Sequence, residues 1–159
     1  MNPRLAQFSI SFSKAKGTLR GMHYEVSPCE EAKLVRCTSG AIYDVIIDLR
    51  PKSPSFKRYL AEILSARNYR MLYVPEGFAH GFLTLEDNVK VMYKTSNYYA
   101  PALEGGIRWN DPIVAVPWPA KDADILISEK DKQLPLLESF SSPFNYDGNP
   151  LGPLLTREL

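Results

Sequence analysis

Histidine and cysteine are both scarce in this chain, with two of each among 159 residues. Two imidazoles fall short of the mononuclear metal sites of β-barrel enzymes, which want three or four ligands, mostly histidine with a carboxylate. His23 has no second histidine two residues on, so His80 is the only other imidazole. No metal site is expected. Cys29 and Cys37 have neither CxxC spacing nor the density of a disulfide framework, and they stand too far apart for a compact zinc motif. A reducing, cytoplasmic location is expected. No apolar run approaches the ~18 residues needed to cross a bilayer. The opening MNPRLAQFSISFSK lacks the continuous apolar stretch of a signal peptide. A formal net charge of +1 gives no electrostatic reason to expect nucleic acid or an anionic membrane as partner. Helical stretches of 10–15 residues between strands are missing too, which counts against a parallel α/β fold.

What is present is a series of short β-rich runs broken by turn residues. They read GTLRGMHYE (17–25), AKLVRCTS (32–39), AIYDVIIDLR (41–50), FKRYLAEILS (56–65), YRMLYV (69–74), AHGFLTL (79–85) and VKVMYKTS (89–96). Their rhythm of roughly 8–12 residues predicts an all-β sandwich or barrel. In 41–50, Ile42, Asp44, Ile46 and Asp48 share one face, and Tyr43, Val45 and Ile47 the other. One helix is predicted, over 128–139, with Ser128 as its cap, Asp131 at the third helical position and Pro135 limiting its length. Hydrophobic content of 45% suits a single globular domain over 1–159, with about 140–159 as an extended or loosely attached tail rich in Pro, Gly, Ser and Asn.

His23 lies in a strand-like segment between an arginine, a glycine and a tyrosine. Histidine titrates near working pH and so makes a ready general base; the competing reading is a satisfied core or rim side chain. Arg20, Lys33 and Arg36 bring positive charge to the same region, as a phosphate or a developing oxyanion would require, although each alone could be a solvated surface charge. Residues three apart on a regular strand face opposite ways, so Arg20 and His23 share a pocket only if the strand is irregular, with a bulge at Gly21. Tyr93 alternates with Val89 and Val91, which fits core packing, and a pocket tyrosine can also be a general acid. Tyr98 and Tyr99 could stack on a planar group. Trp109 reads as packing beside a turn.

Six ordered phrases resemble the dTDP-4-dehydrorhamnose 3,5-epimerase family: GTLRGMHYE, EAKLVRCTSGAIYDVIIDLRPKSPSF, YVPEGFAHGFLTLED, VMYKTSNYYAP, GGIRWNDP and ISEKD, spanning about residues 7–138. The resemblance implies an antiparallel, cupin-like jelly-roll barrel that works as a homodimer without metal or organic cofactor. It also implies a nucleoside-diphosphate 4-keto-6-deoxy sugar as substrate, epimerised at carbons 3 and 5 through proton removal beside the carbonyl. By that resemblance His23 is the proton acceptor and Asp131 its paired carboxylate. Lys33 stands near the sugar's 4-oxygen, and Tyr93 delivers the proton on the other face. Gln7, Arg20, His80, Glu104 and Lys130 contact substrate, with Tyr99 as the stacking candidate. Family members usually open with a further strand pair bearing a D-x-R-G phrase, and this chain is expected to start after it. Ser9 stands where many members have asparagine. Beside this reading are a carbon-3-only epimerase, a GDP- or CDP-sugar relative, a non-catalytic sugar-nucleotide-binding barrel and, last, a metal-dependent cupin enzyme.

Overall fold

The structure is a computed structural model and describes residues 5–148. Nine strands form two antiparallel sheets. They are β1 (Gln7–Ser13), β2 (Leu19–Glu25), β3 (Lys33–Ser39), β4 (Ala41–Asp48), β5 (Tyr59–Ser65), β6 (Met71–Val74), β7 (Phe78–Thr84), β8 (Val89–Thr95) and β9 (Glu104–Gly106). One sheet runs β1-β8-β3-β6 and the other β5-β4-β7-β2-β9. This is a cupin-like jelly roll, and each of the seven expected runs contains a strand.

The two faces of β4 show how sequence period becomes packing. Ile42 and Ile46 face the first sheet, in a core with Val35, Leu64, Phe82, Val89 and Val91. Val45 and Ile47 point the other way and are covered by Ile107, Val114, Leu137 and Phe144 from the C-terminal part of the chain. Burying each such side chain contributes roughly 1.5–3 kcal/mol, so β4 is fixed from both sides. The two aspartates on its inner face are fully buried with partners. Asp48 accepts from the Arg50 Nε at 2.9 Å and from the Ser53 and Ser55 hydroxyls at 2.6 Å each.

Two expectations need correction. The helix over 128–139 is one turn, α1 (Glu129–Lys132), capped by Ser128 as anticipated. It stops because the residue before a proline is driven out of the helical region, and Leu137, in a separate 3-10 turn Leu137–Ser139, reaches the core instead. Residues 140–148 carry no helix or strand, and they are held against the body of the molecule rather than loosely attached. Phe144 is buried edge-on against Tyr24 with ring centroids 5.2 Å apart, and Ser142 Oγ donates to Leu49 O. The expected tail over 149–159 lies outside the described residues. Two strands, β1 and β9, are additional to those expected. No helix among the described residues is long and apolar enough to cross a membrane.

Candidate active site

The bulge in β2 is the local feature on which the site turns. Arg20 pairs with Phe82 and His23 with His80, so three steps along β2 match two along β7. The extra residue rotates the strand by one position, and Arg20 and His23 come to the same face. Gly21 sits in the bulge at φ +121°, and a Cβ there would stand 2.6 Å from Gly81 Cα and 2.8 Å from His80 O. Only glycine fits that backbone approach.

The inner face opens on a cavity of ≈ 800 Å³ between the sheets. His23, Lys33, Tyr93 and Asp131 all line it. So do the six proposed contact residues, Gln7, Arg20, His80, Tyr99, Glu104 and Lys130. Ten positions spread over 125 residues of chain (7 to 131) therefore meet in one place. Arg36, read from sequence as part of the same positive field, is not among them. It lies on the outer face of β3, its guanidinium carbon 5.5 Å from the centroid of the Tyr69 ring.

His23 Nε2 donates to Asp131 Oδ1 at 2.8 Å, and the Gly21 N–H donates to Asp131 Oδ2 at 3.2 Å. An ionised carboxylate only accepts, so this contact fixes the proton on Nε2 and leaves Nδ1 as the basic nitrogen. Nδ1 stands 3.7 Å from Glu104 Oε1. Burial alone would raise the Asp131 carboxyl, but the His23 hydrogen bond and charge and the Gly21 N–H outweigh it and hold it below the ordinary carboxylate range. Ser128 aims this side chain: its hydroxyl accepts from the Asp131 N–H at 3.1 Å and so starts α1 where Asp131 can face β2.

On the opposite sheet, Tyr93 projects from β8 with its ring against the core, so the packing and pocket readings of this residue both describe it. Its phenol is pushed well up by burial, a trend that the Ser11 hydrogen bond opposes and the Asp44 charge reinforces. Lys33 Nζ pairs with Glu31 Oε1 at 2.9 Å. His80 Nε2 lies 2.6 Å from Oδ1 of the fully buried Asp44, and the His80 ring meets Tyr93 edge-on at 6.3 Å. Lys130 pairs with Glu104 at the mouth. Glu25, next along the inner face from His23, accepts from the Ala100 N–H at 3.0 Å and anchors the loop carrying Tyr99; burial pushes its carboxyl up. Trp109, as read from sequence, is a packing residue, edge-on to Trp118.

Four residues at the site, Ser9, Ser11, Glu31 and Asp44, are given no site role in the sequence reading. The alternation Gln7-Phe8-Ser9-Ile10-Ser11-Phe12-Ser13 held the signal for the first two, since period two puts every serine on one face. An acid within the apolar run 41–48 held it for Asp44, because a buried carboxylate needs a partner.

The chain is similar to known proteins in both sequence and fold. The family model described as dTDP-4-dehydrorhamnose 3,5-epimerase matches residues 1–139. The Escherichia coli K12 protein of that name is 46% identical over 120 residues, 76% of this chain and 64% of its own length. The match thus spans just under two thirds of that relative. The Bacillus anthracis dTDP-4-dehydrorhamnose 3,5-epimerase, solved with TDP and PPi bound, superposes with TM-score 0.81 at 47% identity, over 84% of this chain and 75% of that one. The Legionella pneumophila dTDP-6-deoxy-D-glucose-3,5-epimerase, solved with dTDP-4-keto-L-rhamnose, gives TM-score 0.83 at 38% identity, over 89% and 73%.

Proposed function

The chain belongs to the dTDP-4-dehydrorhamnose 3,5-epimerase family, and from that premise we propose that it inverts carbons 3 and 5 of a dTDP-linked 4-keto-6-deoxy sugar. One observation carries the reading: a histidine–carboxylate pair and a tyrosine face one cavity from opposite sheets. Inversion at a carbon needs a base on one side and an acid on the other, and a single group on one side would return the proton to where it came from.

His23 Nδ1 takes the proton next to the carbonyl, and Asp131 holds Nε2–H and stabilises the imidazolium that forms. The electron pair moves onto the sugar's 4-oxygen, where the Lys33 ammonium offsets the charge. Tyr93 gives its proton to the same carbon from the other side. Arg20 and Lys130 supply positive charge for the diphosphate, Gln7, His80 and Glu104 supply polar contacts, and Tyr99, half exposed at the rim, offers a face for the base. No step calls on a metal or an organic cofactor.

The protein works as a homodimer in this reading. Phe8, Ile10 and Phe12 form an exposed apolar row on the outer face of β1, an edge strand, where a second copy would find cover. With Cys29 and Cys37 both unpaired, a reducing cytoplasm is the natural setting. The test is to incubate the protein with dTDP-4-keto-6-deoxyglucose in heavy water and count the deuterium atoms in the sugar. Two supports the double epimerase. One reassigns the chain as a single-centre enzyme, and none refutes catalysis on this substrate.

A further inference from the structure

The inner row of β1 holds the site together residue by residue. Gln7 Oε1 accepts from the Tyr99 N–H at 3.1 Å, and Gln7 Nε2 donates to Ser9 Oγ at 2.9 Å. Ser13 Oγ accepts from Arg20 Nε at 3.3 Å. Between them, Ser11 Oγ lies 3.3 Å from the Tyr93 phenol oxygen, in a pair that either hydroxyl could donate.

That freedom of direction has a chemical use. A tyrosine that hands its proton to carbon is left as a phenolate, here in a buried position. The groups around it are unequal. Asp44 from β4 opposes the negative charge and Arg20 from β2 favours it. Cys37 from β3, its thiol turned to Ser39 O, also disfavours it. His80 from β7 meets the ring edge-on and is tied through Nε2 to Asp44. Among the described residues, Ser11 is the side chain that hydrogen-bonds the phenol oxygen itself. It can accept from the phenol at rest and, by rotating its own O–H, donate to the phenolate afterwards.

We propose that Ser11 is the positioning residue of Tyr93, turning its hydroxyl to donate to the phenol oxygen as the Tyr93 proton passes to the sugar carbon. In that step the Tyr93 O–H bond breaks, the carbon–hydrogen bond forms and the enolate pair is consumed; Ser11 keeps its proton throughout. Tyr93 recovers its own from water after product leaves. The proposal rests on Tyr93 being the acid.

The test uses Ser11→Ala and Ser11→Thr, each also combined with Tyr93→Phe, on the full chain. Two quantities are read: loss of the substrate's carbon-bound hydrogen to heavy water against net epimerised product, and the phenol titration by near-ultraviolet difference absorbance. Subtracting the matched Tyr93→Phe protein isolates one phenol among nine tyrosines. Ser11→Ala should lower net epimerisation about tenfold while exchange and KM hold. It should also move the Tyr93 titration to higher pH, and Ser11→Thr, which restores a hydroxyl, should reverse both effects. Unchanged partition and titration in Ser11→Ala, with Tyr93→Phe defective, would overturn the role of Ser11 alone. Full epimerisation by Tyr93→Phe would overturn the acid reading and this proposal with it.

Discussion

Replacing Asp131 by asparagine changes one atom and removes the charge from the centre of the site. The carboxylate now accepts twice, from His23 Nε2 and from the Gly21 N–H. An asparagine amide can accept at only one of those positions. With its oxygen toward Gly21, its NH2 faces Nε2 and forces that nitrogen to accept. The ring proton then moves to Nδ1, the position that must be empty for a base. With the amide reversed, two donors meet at Gly21. A hydrogen bond to a charged group is worth about 1.5–3 kcal/mol, a tenfold to hundredfold effect on rate. The misplaced tautomer adds to this, for an expected fall in kcat of roughly 10²–10⁴-fold. KM should change little, because Asp131 is buried behind His23. Stability should fall by about 1–2 kcal/mol, with the Ser128 cap intact. That stability difference has a definite pH dependence. The Asp131 carboxyl is depressed in the folded protein, so its contribution is complete above the unfolded value of about 3.9 and is lost as pH falls through the lower folded value. Denaturant unfolding of parent and variant should therefore give a constant gap above about pH 5 that closes in acid. Exchange and epimerisation assays on the dTDP sugar give kcat. A variant within roughly threefold of the parent would refute the pairing as a functional device.

His23→Asn should abolish hydrogen exchange from the sugar while leaving the circular dichroism spectrum and melting midpoint near the parent's; retained exchange would remove His23 from the mechanism. Gly21→Ala should cost several kcal/mol, since the φ and the backbone contacts at 2.6 and 2.8 Å both resist a Cβ. Should that variant unfold at the parent's midpoint, the bulge is not what holds β2 against β7. Glu25→Gln tests the opposite sign of linkage: burial raises the Glu25 carboxyl, so its favourable contribution is present below an unfolded value of about 4.3 and is lost as pH rises through the folded one. Glutamine still accepts from the Ala100 N–H, so the variant should gain on the parent as pH rises above about 4.3; a gap that does not move with pH would mean Glu25 is not buried as a strained anion.

Seven strands could be read from sequence because one of their faces is apolar and the period is two. The bulge was legible in part: Arg20 and His23 needed an irregularity to share a pocket, and Gly21 was the residue that could supply it. β1 was harder because its polar face is the inner one. Phe8, Ile10 and Phe12 look outward and the serines line the cavity, the reverse of the usual rule. β9 has two glycines in three residues and no strand propensity of its own; it forms because Glu104–Gly106 completes the ladder beside β2. The helix was overestimated because its start at Ser128 was legible and its end was not: the expected span ran past Pro135 to 139, whereas the turn closes at Lys132, ahead of that proline. Glu31 was unreadable, since its only recommendation is standing 2.9 Å from Lys33 once β3 is in place.

The two faces of β1 have opposite chemistry, and that ties events on the outside of the molecule to events within it. A slip of one residue against β8 would put Ile10 or Phe12 where Tyr93 now finds the Ser11 hydroxyl, and serine on the surface. Whatever covers Phe8, Ile10 and Phe12 resists that slip, and so keeps the Ser11 hydroxyl within reach of the Tyr93 phenol without touching either. If a second copy provides that cover, as proposed above, assembly and turnover share a single mechanical part, and dilution to monomers would be felt first as a loss of proton delivery rather than of substrate binding.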